Sequence, residues 1–241
     1  MPPKKKSAAL TEEDLKVKNY YECIPKEFLQ TSHNPNFDFH KISLPFRMVV
    51  VAPSGSGKSN FVFHLLKLFG AGEGTFRSIY IITANSDEPL YNAIKAQVPE
   101  ITILEGIEKI PKLDSFDKEE NHLVIFDDLV LEKHQEKIEQ YYIRARKKNV
   151  SVIYLSQKYH RIPLMIRANA NYTAILKIDG VRDTKLILSD YGAGLDKDQL
   201  WNMYDYATRD KFYPLFIDVQ KPIPERFRKG ISEMLDPHRF I

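Results

Sequence analysis

The sequence predicts an α/β fold in which helices cover both faces of a mainly parallel sheet. Five short runs are rich in β-branched, aromatic and other apolar residues, and enough chain separates successive runs to hold a helix or a long crossover. The run at 150–155 is almost wholly apolar rather than alternating, which is typical of a strand buried on both faces. Strands that alternate with helices indicate a parallel sheet between two helical layers.

The elements follow one another in a regular order. We expect strands at 48–51, 79–83, 123–126, 150–155, 172–178 and 211–219. We expect helices at 60–69, 89–96, 132–145, 163–169, 184–191, 196–207 and 224–234. A ligand of such a sheet binds beyond the carboxyl ends of its strands.

Three segments are expected along the chain. Residues 1–43 lack a clear hydrophobic period and predict a partly disordered N-terminal arm, with a short helix near 12–18. Residues 44–220 contain the strand and helix pattern and form the predicted main domain. Residues 221–241 form a predicted C-terminal tail with a short helix.

Composition limits the classes of protein to consider. The 241 residues are 43% hydrophobic, which suffices for a sizeable core, and no apolar run approaches the 18 to 20 residues of a membrane span. The single cysteine, Cys23, excludes an internal disulfide and fits a reducing compartment. We therefore expect a soluble protein. The net charge of +3 permits contact with nucleic acid but does not establish it.

The most informative motif is the segment 52–59, Ala-Pro-Ser-Gly-Ser-Gly-Lys-Ser, between the first strand and the first long helix. Its glycines let backbone N–H groups curl around phosphates, and the helix that follows directs its positive dipole end to the same place. Lys58 is predicted to reach the β- and γ-phosphates and Ser59 to bind Mg²⁺.

The first position of the usual motif is glycine, whereas this chain has Ala52. A simple Ser/Gly turn between strand and helix is the alternative interpretation. The expected nucleotide contacts are Pro53, Ser54, Gly55, Ser56, Gly57, Lys58, Ser59 and Asn60.

A strand that ends in two carboxylates supplies a second motif. Asp127 is predicted to hold Mg²⁺ through its water shell, and Asp128 to orient and deprotonate an attacking water. An acidic turn that caps the next helix is the alternative. Kinases with the same loop transfer phosphate to an acceptor and need no water-activating acid, so the pair favours hydrolysis.

Two further side chains are catalytic candidates. Gln157 follows the strand at 150–155, where an amide can sense the γ-phosphate, although it can also cap the next loop. Arg144 and Arg146 precede that strand and lie at the opposite edge, so they can reach only the site of an adjacent subunit. Arg146 is the preferred arginine in trans, and stabilisation of the preceding helix C-terminus is the alternative.

With these motifs in order, the chain resembles the genome-packaging ATPases of large and medium-sized eukaryotic DNA viruses and virophages, the poxvirus-type members of the FtsK-HerA superfamily. The resemblance covers about residues 44–180. It is carried by PFRM at 45–48, IFDD at 125–128, SVIYLSQKY at 151–159 and IPLMIRAN at 162–169.

The resemblance implies a P-loop NTPase fold of the RecA and FtsK-HerA type, with ATP and Mg²⁺ as cofactors. It implies a homo-oligomeric ring that drives double-stranded DNA, without sequence preference, into a preformed capsid, and contact with capsid or vertex proteins. The expected location is the host cytoplasm or a viral factory, in association with the virion. Cellular members of the superfamily generally have glutamate where this chain has Asp128.

Two alternatives from other functional classes stay open. A P-loop nucleoside or nucleotide kinase would produce ADP only with a phosphate acceptor and would need no oligomer. A nucleotide-gated capsid-assembly component would bind ATP tightly, with little stimulation by DNA. Ring size, direction of translocation and the capsid partner are not encoded in any motif.

Overall fold

The computed structural model describes residues 12–13, 15–25, 32–98, 100–192 and 194–241. The chain divides into two units, Met1–Thr31 and Ser32–Ile241. Residues 1–11, 14 and 26–31 of the predicted arm lie outside the described part.

In the first unit, the helix predicted near 12–18 is wrong for the residues described there, which form turns and irregular backbone. A 3-10 helix occupies Tyr20–Cys23 instead, and the Asn19 side chain accepts a hydrogen bond from the Tyr21 N–H at its start. An isolated short helix is marginal in water, whereas a capped turn needs few residues.

One sheet runs through the second unit. Its strands, within the described residues, are β1 (Arg47–Val51), β2 (Ser78–Thr83), β3 (Ile101–Glu105), β4 (His122–Asp127), β5 (Val150–Ser156), β6 (Tyr172–Ile175), β7 (Leu215–Asp218), β8 (Phe227–Lys229) and β9 (Glu233–Met234). The order across the sheet is β3-β2-β4-β5-β1-β6-β7-β8-β9. Pairing is parallel from β3 through β6 and antiparallel from β6 through β9.

Helices lie on both faces of this sheet. They are α1 (Phe37–His40), α2 (Lys58–Phe69), α3 (Pro89–Gln97), α4 (Glu136–Arg144), α5 (Leu164–Asn169), α6 (Val181–Tyr191), α7 (Lys197–Ala207) and α8 (Ile223–Arg226). Short 3-10 helices at Ile107–Lys109, Leu113–Ser115, Ala145–Lys148, Tyr159–Arg161 and Pro237–Phe240 complete the second unit. The predicted α/β fold with a mainly parallel sheet is confirmed.

The central strand β1 shows why the strands are apolar on both sides. Val49 and Val51 join the hydrophobic cluster that α4 to α7 cover, whereas Met48 and Val50 join the cluster that α2 and α3 cover. Successive side chains of a strand point to opposite faces, so a strand between two helical layers must be apolar at every position.

The second unit begins before the predicted boundary at residue 44. The Asn36 side chain donates hydrogen bonds to the carbonyls of Phe69 and Ala71, each at 2.9 Å. The Phe69 carbonyl ends α2 and has no partner within the helix, and Ala71 lies just beyond that end.

Three parts of the chain near the sheet edges differ from the prediction. Strand β3 was not predicted; it pairs only with β2 in the described part of the chain. The predicted strand at 211–219 is restricted to Leu215–Asp218, because Phe212 adopts a left-handed backbone with φ 73° that interrupts the extended chain. The predicted helix at 224–234 is wrong beyond Arg226: Gly230, with φ 62°, turns the chain into the β8–β9 hairpin.

Candidate nucleotide site

The glycine loop leaves the carboxyl end of β1 and enters α2 directly. Gly55 and Gly57 have φ values of 75° and 95°, which side chains with a β-carbon rarely adopt. Ser56 closes the turn, since its N–H and its hydroxyl both donate to the Pro53 carbonyl, at 3.3 and 2.6 Å. The predicted contact residues Pro53, Ser54, Gly55, Ser56 and Gly57 lie in this turn, and Lys58, Ser59 and Asn60 lie in the first turn of α2.

The free N–H groups at the start of α2 lie at the carboxyl edge of the sheet, beside the glycine loop. Gly57 caps the helix without any side-chain hydrogen bond, and acidic residues are absent from the first turn. The N-terminus of this helix therefore offers unpaired donors and a positive dipole end to an anion.

Asp127 lies at the carboxyl end of β4 beside the loop lysine. It is buried, and its Oδ1 lies 3.5 Å from Lys58 Nζ. That oxygen accepts no hydrogen bond, although it is shielded from solvent. A buried carboxylate oxygen without a hydrogen bond is suited to a cation or to one of its water ligands, so the residues present fit Mg²⁺.

The other oxygen of Asp127 is held by a residue that the sequence motifs did not reveal. Tyr91, buried on α3, donates its phenolic hydrogen to Asp127 Oδ2. Burial, reinforced by the charge of Asp127, raises the pKa of Tyr91 well above its ordinary value, so the phenol keeps the proton that it donates to the carboxylate. In the sequence, Tyr91 is one aromatic residue in a helix, and no spacing links it to Asp127.

Asp128 and Gln157 meet at the same edge. Gln157 Nε2 donates to Asp128 Oδ2 at 2.9 Å. Asp128 is exposed and has φ 54°, a left-handed backbone that turns its side chain away from the line of β4.

Backbone hydrogen bonds fix these strand ends to one another. The Ala52 N–H donates to the Ser156 carbonyl at 3.1 Å, and the Asp128 N–H donates to the Leu155 carbonyl at 3.3 Å. The ends of β1, β4 and β5 therefore lie together, although long stretches of chain separate them.

The candidate arginines lie elsewhere. Arg144 ends α4, and Arg146 lies in the 3-10 helix immediately before β5, at the amino edge of the sheet. Both are exposed. Arg47, at the start of β1, shares this edge: burial lowers its pKa, and the charge of Arg146 lowers it further. The structure does not bring either candidate arginine to the glycine loop of its own chain.

A second aromatic residue was also missed by the motifs. Phe212, in the segment between α7 and β7, places its ring against Gly57. The predicted strand at 211–219 gave no reason to expect this side chain at the glycine loop.

A parallel sheet with a glycine loop after a central strand and carboxylates after a neighbouring strand defines the class of P-loop NTPases. The chain belongs to one family within that class: the family model described as "Poxvirus A32 protein" matches residues 35–209.

Curated relatives of this chain come from poxviruses. The DNA packaging protein OPG160 of Variola virus and that of Vaccinia virus (strain Copenhagen) are each 31% identical over 153 residues, covering 54% of this chain and 53% of theirs. The match therefore spans about half the length of the curated relatives.

Solved structures of lower identity share the fold. B204, the DNA-packaging ATPase from Sulfolobus Turreted Icosahedral Virus, is 16% identical with a TM-score of 0.55, covering 74% of this chain and 95% of that one. The genome packaging NTPase B204 from Sulfolobus turreted icosahedral virus 2 in complex with ATP-gammaS is 15% identical, with a TM-score of 0.52 and coverage of 74% and 94%. ATPases 2 and 3 of EssC from Geobacillus thermodenitrificans are 12% identical, with a TM-score of 0.51 and coverage of 80% and 40%.

Among the described residues, no helix has the length and apolar character needed to span a bilayer. Nor does that part of the chain group three or more His, Cys, Asp or Glu side chains in a way that could hold a metal ion. A cation at Asp127 would take most of its ligands from phosphate and water, as Mg²⁺ commonly does.

Proposed function

We propose that this chain is an ATP-hydrolysing translocase that moves double-stranded DNA into a preformed viral capsid. Membership of the Poxvirus A32 family and similarity to proteins named DNA packaging protein support this function. The ATPase resides in the unit Ser32–Ile241, and its place of action is the host cytoplasm or a viral factory.

The observation that carries the proposal is the convergence of four side chains at one sheet edge. Lys58 Nζ lies 3.5 Å from Asp127, and Gln157 donates to Asp128. A phosphate-binding cation, a buried carboxylate oxygen that accepts no hydrogen bond, an exposed carboxylate and an amide are the groups that hydrolysis of a phosphoanhydride requires.

Each group has a distinct task in this scheme. The glycine loop and Lys58 bind the phosphates. Ser59, and Asp127 through the water ligands of the cation, would hold Mg²⁺, which would supply positive charge against the phosphates. Asp128 accepts a hydrogen bond from the attacking water and takes its proton. Gln157 holds Asp128 through the 2.9 Å hydrogen bond and exchanges this bond for one to the γ-phosphate or the water.

A homo-oligomeric ring would complete the site. Arg146, and Arg144 as the second candidate, lie at the amino edge and would serve the glycine loop of the adjacent subunit. An arginine supplied in trans stabilises charge on the transferring phosphoryl group. Inside the ring, contacts to DNA phosphates would be independent of sequence, and capsid or vertex proteins would dock outside.

The steady-state rate of ATP hydrolysis across protein concentration tests this function. Long linear double-stranded DNA is added at low salt in one series and nucleoside acceptors in another. A rate per chain that rises with concentration and again with DNA supports the translocase. ADP production that depends on an acceptor would replace it with a kinase, and tight ATP binding without stimulation would replace it with an assembly component.

A further inference from the structure

Phe212 lies against the glycine loop from a segment that no motif assigns. A β-carbon placed on Gly57 would come within 2.1 Å of Phe212 Cδ1, so the ring occupies the space beside that glycine. Phe212 as a whole residue is 40% exposed. Because φ of Phe212 is 73°, a costly conformation for a bulky residue, the surrounding segment must hold this position.

Sheet topology places this segment at the edge that holds the nucleotide site. Strand β7 runs antiparallel to β6, with Leu215 opposite Ile175. The start of β7 therefore lies at the carboxyl end of β6, and the residues just before β7 lie beside the loop that leaves β1.

The order of strands also tells which end of a bound nucleotide would point to Phe212. The order is β4-β5-β1-β6-β7, with Asp127, Asp128 and Gln157 at the ends of β4 and β5. The γ-phosphate must lie on that side of the glycine loop, where the carboxylates can act on it. The phosphate chain then leads across β1 toward β6 and β7, so the nucleoside lies on the Phe212 side.

The chemistry of the segment suits a base rather than a phosphate. An aromatic ring cannot hold an anion by hydrogen bonds, but its face stacks on any base. Lys211 Nζ lies 4.9 Å from the centre of the same ring and can approach the ribose or α-phosphate.

We propose that Phe212 is the aromatic face on which the base of the bound nucleoside triphosphate stacks. This inference rests on the proposed function, since it assumes that a nucleotide occupies the glycine loop. Stacking on one face is tolerant of base identity, so Phe212 contributes affinity for adenine and guanine nucleotides alike.

Calorimetric affinities of the full chain for two Mg²⁺-bound ligands, AMPPNP and inorganic tripolyphosphate, test the proposal. Phe212→Ala should weaken AMPPNP binding about tenfold or more, while the affinity for tripolyphosphate, which has no base, changes less than about twofold. Phe212→Tyr preserves the ring and should bind AMPPNP like the wild type. Phe39→Ala removes an exposed phenylalanine of α1 and serves as the matched control.

Preserved tripolyphosphate binding in Phe212→Ala also shows that the variant is folded. Three outcomes of Phe212→Ala would overturn the proposal. An equal loss of affinity for both ligands would show that the ring only supports the glycine loop, and an equal gain would show that it obstructs the loop. Unchanged affinity for both would show that the ring does not contribute to binding. Lys58→Ala should lose both ligands. A wild-type chain that binds neither ligand would overturn the proposed nucleotide site itself.

Discussion

Gln157 donates a hydrogen bond to Asp128 at 2.9 Å, joining the ends of two neighbouring strands. The donor follows β5 and the acceptor follows β4. These two strands pair with Asp127 opposite Leu155, and this register brings the two side chains together. Under the proposed function, the amide would exchange this partner for a phosphate oxygen or a water, and the pair would couple the state of the γ-phosphate to the position of the carboxylate.

Asp128→Asn should keep ATP bound but stop its turnover. The asparagine retains the size of the side chain but cannot accept a proton, and loss of a general base typically costs about 10²- to 10⁴-fold in rate. Single-turnover hydrolysis and calorimetric ATP binding check the two parts. Hydrolysis at the wild-type rate would remove Asp128 from the chemistry and leave the acidic-turn interpretation.

Tyr91→Phe should reduce hydrolysis about 10- to 100-fold and raise the Mg²⁺ concentration needed for half-maximal rate, because partners that orient metal ligands typically contribute this much. The substitution removes only the hydroxyl that holds Asp127 Oδ2. The measurement is the ATPase rate over a titration of Mg²⁺ at fixed ATP.

The matched control is Tyr141→Phe, which removes the hydroxyl of another buried tyrosine, one that donates to the Pro111 carbonyl at 2.5 Å. It should leave the Mg²⁺ requirement unchanged. If Tyr91→Phe and Tyr141→Phe behave alike, the hydrogen bond to Asp127 contributes to stability alone.

Arg146→Ala should abolish ATP hydrolysis, and mixing this variant with Lys58→Ala subunits should restore part of the activity. A Lys58→Ala subunit retains its arginine, and an Arg146→Ala subunit retains its glycine loop, so one kind of interface in a mixed ring carries a complete site. The ATPase rate of the mixture should exceed that of either inactive variant.

Arg144→Ala is the comparison for this experiment, because Arg144 shares the amino edge with Arg146. If Arg146→Ala is fully active, and if inactive Arg144→Ala regains activity when mixed with Lys58→Ala, then Arg144 is the arginine supplied in trans. Full activity of both single variants would show that these cations serve only the end of the preceding helix.

The central part of the fold could be predicted because its strands are buried on both faces. Such strands are apolar at nearly every position, and the central residues of β1, β4 and β5 carry that signal clearly. Strand β3 is rich in strand-favouring residues, so its sequence carried a signal that the prediction overlooked; at the sheet edge only Ile101 of this strand is buried. The hairpin of β8 and β9 is set by pairing with β7 and a turn at Gly230, which helical periodicity conceals.

Some residues of the candidate site could also be predicted from the sequence, and others could not. Lys58, Asp127 and Asp128 lie in motifs whose spacing is local, so the sequence predicts them. Tyr91 and Phe212 reach the site from segments that are distant along the chain, and only the sheet order brings them there.

The free energy of unfolding should fall as the pH is lowered from about 6.5 to about 4, because of His40. Burial, with the nearby charges of Arg228 and Lys41, lowers the pKa of this histidine from 6.5 to about 4. Its Nδ1 accepts a hydrogen bond from the Ile42 N–H, which protonation of that nitrogen would break. The unfolded chain therefore takes up the proton first, and stability present above pH 6.5 is lost in this window, by on the order of 3 kcal/mol.

Urea unfolding at several pH values checks this dependence. His40→Asn keeps an acceptor for Ile42 but cannot titrate, so its stability should vary less between pH 6.5 and 4 than that of the parent. His238→Asn, which replaces an exposed histidine, is the control and should keep the slope of the parent. An unchanged slope in His40→Asn would assign the acid sensitivity to other groups.

Displacement of a third strand from double-stranded DNA tests the central claim most directly. The full chain, at a concentration where it assembles, is given linear DNA that carries a short triplex away from its ends. The account predicts release of the third strand with ATP, no release with AMPPNP, and no release by Asp128→Asn although this variant still binds ATP and DNA. ATP hydrolysis that DNA stimulates, without any release of the third strand, would contradict translocation.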